Sequence, residues 1–80
     1  MAVRIVFLGK LADLAGSAEM ELEAPLDWPG LLERLHGALG EAVQQDRVKI
    51  ALNGAVLTDK AALKAGDGDE IALLPPVSGG

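Results

Sequence analysis

The chain ends in Gly79-Gly80, and the reactive group this offers is the α-carboxylate of Gly80. A carboxylate is a poor electrophile until one of its oxygens becomes a leaving group. Adenylation by ATP makes that change, and the activated carbonyl can then accept sulfur or a lysine amine. Two residues without Cβ make a thin end that can pass down a narrow channel and let the backbone lie close to another protein's wall. Just upstream stand Pro75, Pro76, Val77 and Ser78. Proline fixes φ and holds the preceding residue extended, so Leu74-Pro75-Pro76 is expected to leave the domain as a stiff spur. A glycine terminus alone is ordinary, because chain ends fray. Its setting, directly after a last strand and a proline spur, singles it out.

The rest of the chain offers little chemistry of its own. Cysteine is absent, so neither a disulfide nor a thiolate site can form, and His36 is the sole histidine, so no metal cage is expected. Asp67, Asp69 and Glu70 lack the spacing of a calcium-binding loop and read as a solvated turn. Glu19, Glu21 and Glu23 read as a solvated strand face, and His36 as a surface residue on the polar side of a helix. Trp28 reads as packing. The net charge of −5 argues against nucleic acid and anionic membrane surfaces, and Phe7 and Trp28 are too few aromatics for a base-stacking platform. No stretch resembles a signal peptide or approaches a membrane span, which makes the cytoplasm the default location.

Short, punctuated blocks must position the tail. Ala2 to Leu8 reads as a strand bounded by Gly9, and Lys10 to Gly16 as a loop or a short helical turn. Ala18 to Glu23 alternates strictly, with Met20 and Leu22 facing inward, as in a half-exposed strand. Asp27 is an N-cap followed by Trp28 and Pro29. Trp28, Leu31, Leu32, Leu35, Ala38 and Leu39 then recur at helical spacing, and Gly40 can end this one amphipathic helix. Val48 to Leu52 is a strand, Asn53-Gly54 a hairpin turn, and Ala55 to Leu57 the returning strand. Thr58 to Ala65 can hold a helical turn, Gly66 to Asp69 is a turn, and Glu70 to Leu74 is the last strand, stopped by the prolines. The order predicts an α+β domain over residues 1–74, a mixed sheet of four to five strands with one main helix on one face, and an extended tail over 75–80. With the first and last strands side by side at the centre, it is a β-grasp, or ubiquitin-like, fold.

Alternation also predicts a surface. With Ile5, Phe7, Ile71 and Leu73 toward the helix, Val6, Leu8, Ala72 and Leu74 take the other face. The chain is 50% hydrophobic, and at 80 residues it can bury only roughly 60% of its unfolded surface. Leu8, Val56 and Leu74 are therefore expected to form an exposed apolar patch that docks partner proteins.

Three stretches carry a resemblance over essentially the whole chain. They are Val6-Phe7-Leu8-Gly9-Lys10-Leu11-Ala12-Asp13-Leu14-Ala15-Gly16, Gly66-Asp67-Gly68-Asp69-Glu70-Ile71-Ala72, and Leu73-Leu74-Pro75-Pro76-Val77-Ser78-Gly79-Gly80. On these residues the sequence resembles the small subunits of molybdopterin synthase, sulfur carriers of molybdenum cofactor synthesis. A double glycine is common to ubiquitin-like carriers, and the two prolines before Val-Ser-Gly-Gly point to this branch. The resemblance implies that a ubiquitin-activating-type adenylyltransferase consumes ATP to adenylate Gly80, and that a persulfide donor converts it to a thiocarboxylate. The tail from Pro75 to Gly80 then enters the large subunit of a heterotetramer, which supplies the catalytic residues. The carrier is itself non-catalytic and holds no permanent cofactor. The family often has aromatic residues where this chain has Leu8, Leu73 and Leu74, and a basic residue where it has Ala12. The same tail chemistry would serve a carrier for thiamine, cysteine or transfer-RNA thiolation, or a ubiquitin-like modifier of lysines. A plain binding module with an incidental terminus is the remaining reading.

Overall fold

Period-two burial decides the first strand. In β1 (Ala2–Phe7), Val3, Ile5 and Phe7 are buried while Arg4 is exposed. The structure, a computed structural model, describes residues 2–35 and 37–76. Helix α1 (Lys10–Ala15) follows, then β2 (Glu19–Glu23), whose exposure alternates as its sequence does. Next come β3 (Leu26–Asp27), α2 (Trp28–Arg34), α3 (Gly37–Val43), β4 (Lys49–Leu52) and β5 (Ala55–Val56). A 3₁₀ turn (Lys60–Ala62), β6 (Lys64–Ala65) and β7 (Glu70–Leu74) complete the described chain.

Five strands form one mixed sheet in the order β2-β1-β7-β4-β5. The first and last strands lie side by side in parallel, with Ile5 opposite Ile71 and Phe7 opposite Leu73. The other pairings of this sheet are antiparallel. This is the β-grasp arrangement expected from the element order. The sheet's inner face joins Leu11, Leu31, Leu35, Leu39 and Val43 from the helices in one core that includes Ile5, Phe7, Ile50, Ile71 and Leu73. A separate two-stranded ribbon, β3 with β6, was not expected. Two-residue strands carry no readable period.

The single helix expected over Trp28 to Leu39 is instead two. Asp27 caps the first as predicted, its Oδ1 accepting the Gly30 N–H at 2.9 Å. That helix stops at Arg34. Leu35 turns extended at φ −106° and ψ 113°, and the chain restarts at Gly37 with φ +64°. The spacing of the leucines fits either course, and tertiary packing decides between them. The break lets Leu35, Leu39 and Val43 all reach the core. Gly40 lies inside α3, buried, rather than ending a helix. A Cβ there would stand 2.4 Å from the Leu35 carbonyl oxygen, so the residue serves a close backbone approach.

A hydrogen-bonded clasp joins the Asn53-Gly54 turn to the Gly66–Asp69 turn. Asp69 accepts the Gly66 N–H at 2.7 Å and the Asn53 Nδ2–H at 3.0 Å, while Asn53 Oδ1 accepts the Glu70 N–H at 2.9 Å. The bond from the Gly66 N–H, and then that from Asn53, holds the Asp69 carboxyl below its usual range. A depressed folded-state pKa contributes stability that is present above the unfolded value and lost as pH falls through the folded one. The melting temperature should therefore drop as pH falls below about 4, with Asp69→Asn showing a shallower drop over that window. Thermal denaturation of both proteins checks this, and equal slopes would remove Asp69 from the acid response.

Candidate functional site

The tail is rooted where the central ladder ends. The Leu8 N–H donates to the Leu73 carbonyl at 3.3 Å, and one residue after Leu74 the chain reaches Pro75, which has no N–H to continue the sheet. Pro75 is half-buried and Pro76 exposed. Val77, Ser78, Gly79 and Gly80 lie outside the described residues, as does His36. The structure therefore describes the direction in which the tail sets out, from the parallel central pair.

The sheet face opposite the helices is graded. Strand register aligns Glu19, Val6, Ala72, Ala51 and Val56 in one row across the sheet. Two residues toward the tail along β7, Leu74 pairs with Lys49. Two residues the other way, Arg4 lies between Glu21 and Glu70, and its guanidinium meets Glu19 at 2.9 Å and Glu70 at 3.7 Å. The face thus passes from exposed ion pairs to a more apolar zone beside the tail root, with Lys49 at its edge. Of the expected patch, Leu8 is 41% exposed, Val56 57% exposed and Leu74 half-buried. Ala51 is buried although it belongs to this open face. The sequence reading missed Leu14 on α1, which is 47% exposed. Its signal was available: Leu11, Leu14 and Ala15 occupy a helix of six residues, and Leu11 takes the buried place.

Lys60 and Asp67 bind backbone groups. Lys60 donates to the carbonyls of Val43, at 2.8 Å, and of Gln45, just past the C-terminal end of α3, and its ammonium stands 5.7 Å from the centre of the Trp28 ring. Burial lowers its pKa. Asp67 accepts the Ala2 N–H at 3.0 Å. Among the described residues no group of three or more His, Cys, Asp or Glu side chains is placed to hold a metal ion. No described helix is long and apolar enough to cross a membrane.

A mixed sheet with its first and last strands paired in parallel at the centre defines a ubiquitin-like β-grasp fold. The chain belongs to the ThiS family, which it matches over residues 5–80. It is 31% identical over 83 aligned residues to the molybdopterin synthase sulfur carrier subunit of Drosophila melanogaster, covering 98% of this chain and 90% of that protein. Its fold matches a chain in the complex of subunits 1 and 2 of molybdopterin-converting factor from Helicobacter pylori, with TM-score 0.69 and 31% identity over the whole of both chains. It also matches SAMP1, a small archaeal modifier protein, from Haloferax volcanii, with TM-score 0.69 and 27% identity over the whole of both chains.

Proposed function

We propose that this chain is the sulfur carrier subunit of a molybdopterin synthase. The observation that carries the reading is the 31% identity to the Drosophila carrier over nearly the full length of both proteins. The graded sheet face and the proline-rooted tail support it. In this mechanism a ubiquitin-activating-type adenylyltransferase joins the Gly80 carboxylate to the AMP part of ATP, releasing pyrophosphate. A persulfide sulfur attacks the carbonyl, AMP leaves, and a thiol reduces the resulting acyl disulfide to free the thiocarboxylate. The ATP belongs to the activating enzyme, and the carrier holds no cofactor of its own. Leu8, Val56 and Leu74 dock the activating enzyme and the large subunit in turn. Pro75 to Gly80 enter the large subunit's active site, where sulfur passes to the pterin precursor. Two carriers on two large subunits, a cytoplasmic heterotetramer, provide the two sulfurs of a dithiolene.

The similarity to SAMP1 favours a second reading, a modifier of other proteins. It shares the acyl-adenylate, which a lysine amine intercepts in place of sulfur. Intact mass after co-expression with the activating enzyme and a sulfur donor separates the two. A gain equal to one oxygen-for-sulfur exchange at the terminus is expected. Free acid alone, under conditions that charge a known carrier, would overturn the sulfur reading. Isopeptide-linked products without that exchange would favour the second.

A further inference from the structure

The first residue of the tail rests on a glycine from the other end of the chain. Gly9 follows β1 and caps α1, its carbonyl accepting the Ala12 N–H at 3.1 Å. A cap position ordinarily favours Ser, Thr, Asp or Asn, whose side chains satisfy a free helix N–H, and no side chain does so here. Two observations explain the glycine. Its backbone adopts φ +55° and ψ −131°, a region that disfavours residues with a Cβ. A Cβ built there would also stand 3.1 Å from Pro75 Cγ and 4.0 Å from Pro75 Cβ. The half-buried Pro75 ring thus packs against the bare Cα of Gly9. One step upstream, the bond from Leu8 to Leu73 fixes the strand. The tail's root is held at two successive points.

The geometry points to Gly9 as a positioning residue that sets the direction in which the reactive tail leaves the sheet. This rests on the carrier reading for its consequence, though not for its structural content. Five residues, Pro76 to Gly80, follow Pro75. Extended in a partner's channel they span roughly 17 Å, so a turn of about 10° at the root moves the terminal carbonyl by roughly 3 Å. Misplacement of a reacting atom by about 1 Å can cost on the order of a hundredfold in rate. Gly9 touches neither ATP nor sulfur and acts through Pro75.

The test measures adenylation of the full chain by the activating enzyme, followed as pyrophosphate release. Gly9→Ala should lower kcat roughly tenfold or more while leaving KM near the wild-type value, because the sheet face still docks. Pro75→Ala takes the ring away from Gly9 and should lower kcat as well, and adding it to Gly9→Ala should cost little more, because the two variants remove one shared contact. A wild-type rate for Gly9→Ala would overturn the proposal. So would losses that simply multiply in the double variant, which would trace the Gly9→Ala effect to backbone strain alone. A nuclear Overhauser contact between Gly9 Hα and the Pro75 ring in the unmodified chain needs neither partner nor activity. It is expected, and its absence would overturn the proposal even if Gly9→Ala fails to fold. If the wild-type chain is never adenylated, the carrier reading fails, while that contact still decides the positioning.

Discussion

Deleting Gly80, or adding one residue after it, should abolish charging by the activating enzyme and leave the fold intact. Among the described residues the core ends before the tail. Leu73 is the last fully buried residue among those described, Pro75 is half-buried and Pro76 exposed. Changes at the far terminus should therefore alter stability by no more than about 0.5 kcal/mol, the scale of surface substitutions. The effect on chemistry is of another order. One residue moves the terminal carboxylate by roughly 3.3 Å along an extended chain, several times the displacement that costs about a hundredfold in a positioned reaction. Addition of alanine also introduces a Cβ where the chain has none. Intact mass and thermal melting on the same samples check both halves. A charged, extended variant would sink the mechanism, and an unfolded truncation would show that the tail belongs to the domain.

How much of this was legible depended on whether the information was local. β2 could be read because burial of one face writes a period of two into Glu19 to Glu23, and β1 and β7 because short apolar runs end at Gly9 and at Pro75-Pro76. The Asp27 cap and the Asn53-Gly54 turn could be read because each needs particular residues at adjacent positions. The tail could be read from composition, since prolines that stop a strand and glycines that clear a path are local properties. The exposed place of Leu8 follows from alternation along the first strand. Other features are non-local. The β3–β6 ribbon pairs two dipeptides far apart in the chain. Ala51 is buried on an otherwise open face, beside Val56 and Ala72 in its row. The contact of Gly9 with Pro75 joins the two ends of the sequence, and nothing near either residue announces it.

The break between α2 and α3 is the largest such case, and it makes a prediction of opposite signs. In one continuous helix, Gly37→Ala would be an interior replacement, stabilising by about 1 kcal/mol, and Gly40→Ala would cost little more than a cap. The structure reverses the first expectation and enlarges the second. Gly37 has φ +64° with open space around it, so alanine there meets only backbone strain, a loss of about 1 kcal/mol. At Gly40 a Cβ would lie 2.4 Å from the Leu35 carbonyl oxygen and 3.2 Å from its carbon. Both are backbone atoms that cannot rotate aside. Helix α3 must shift away, and Leu39 and Val43, buried on that helix, shift with it. Overpacking of this kind costs about 1–3 kcal/mol, and a clash with immovable backbone belongs at the upper end of that range, from which alanine's helix propensity returns about 1 kcal/mol. A net loss of about 2 kcal/mol should lower the melting temperature by roughly 8–16 °C in a domain this size. Melting curves of the two variants decide the matter. A rise for Gly37→Ala with little change for Gly40→Ala would restore the single helix, and a fall for both, larger at Gly40, follows from a chain that must bend at Leu35 to bring Leu39 and Val43 onto the sheet that carries the tail.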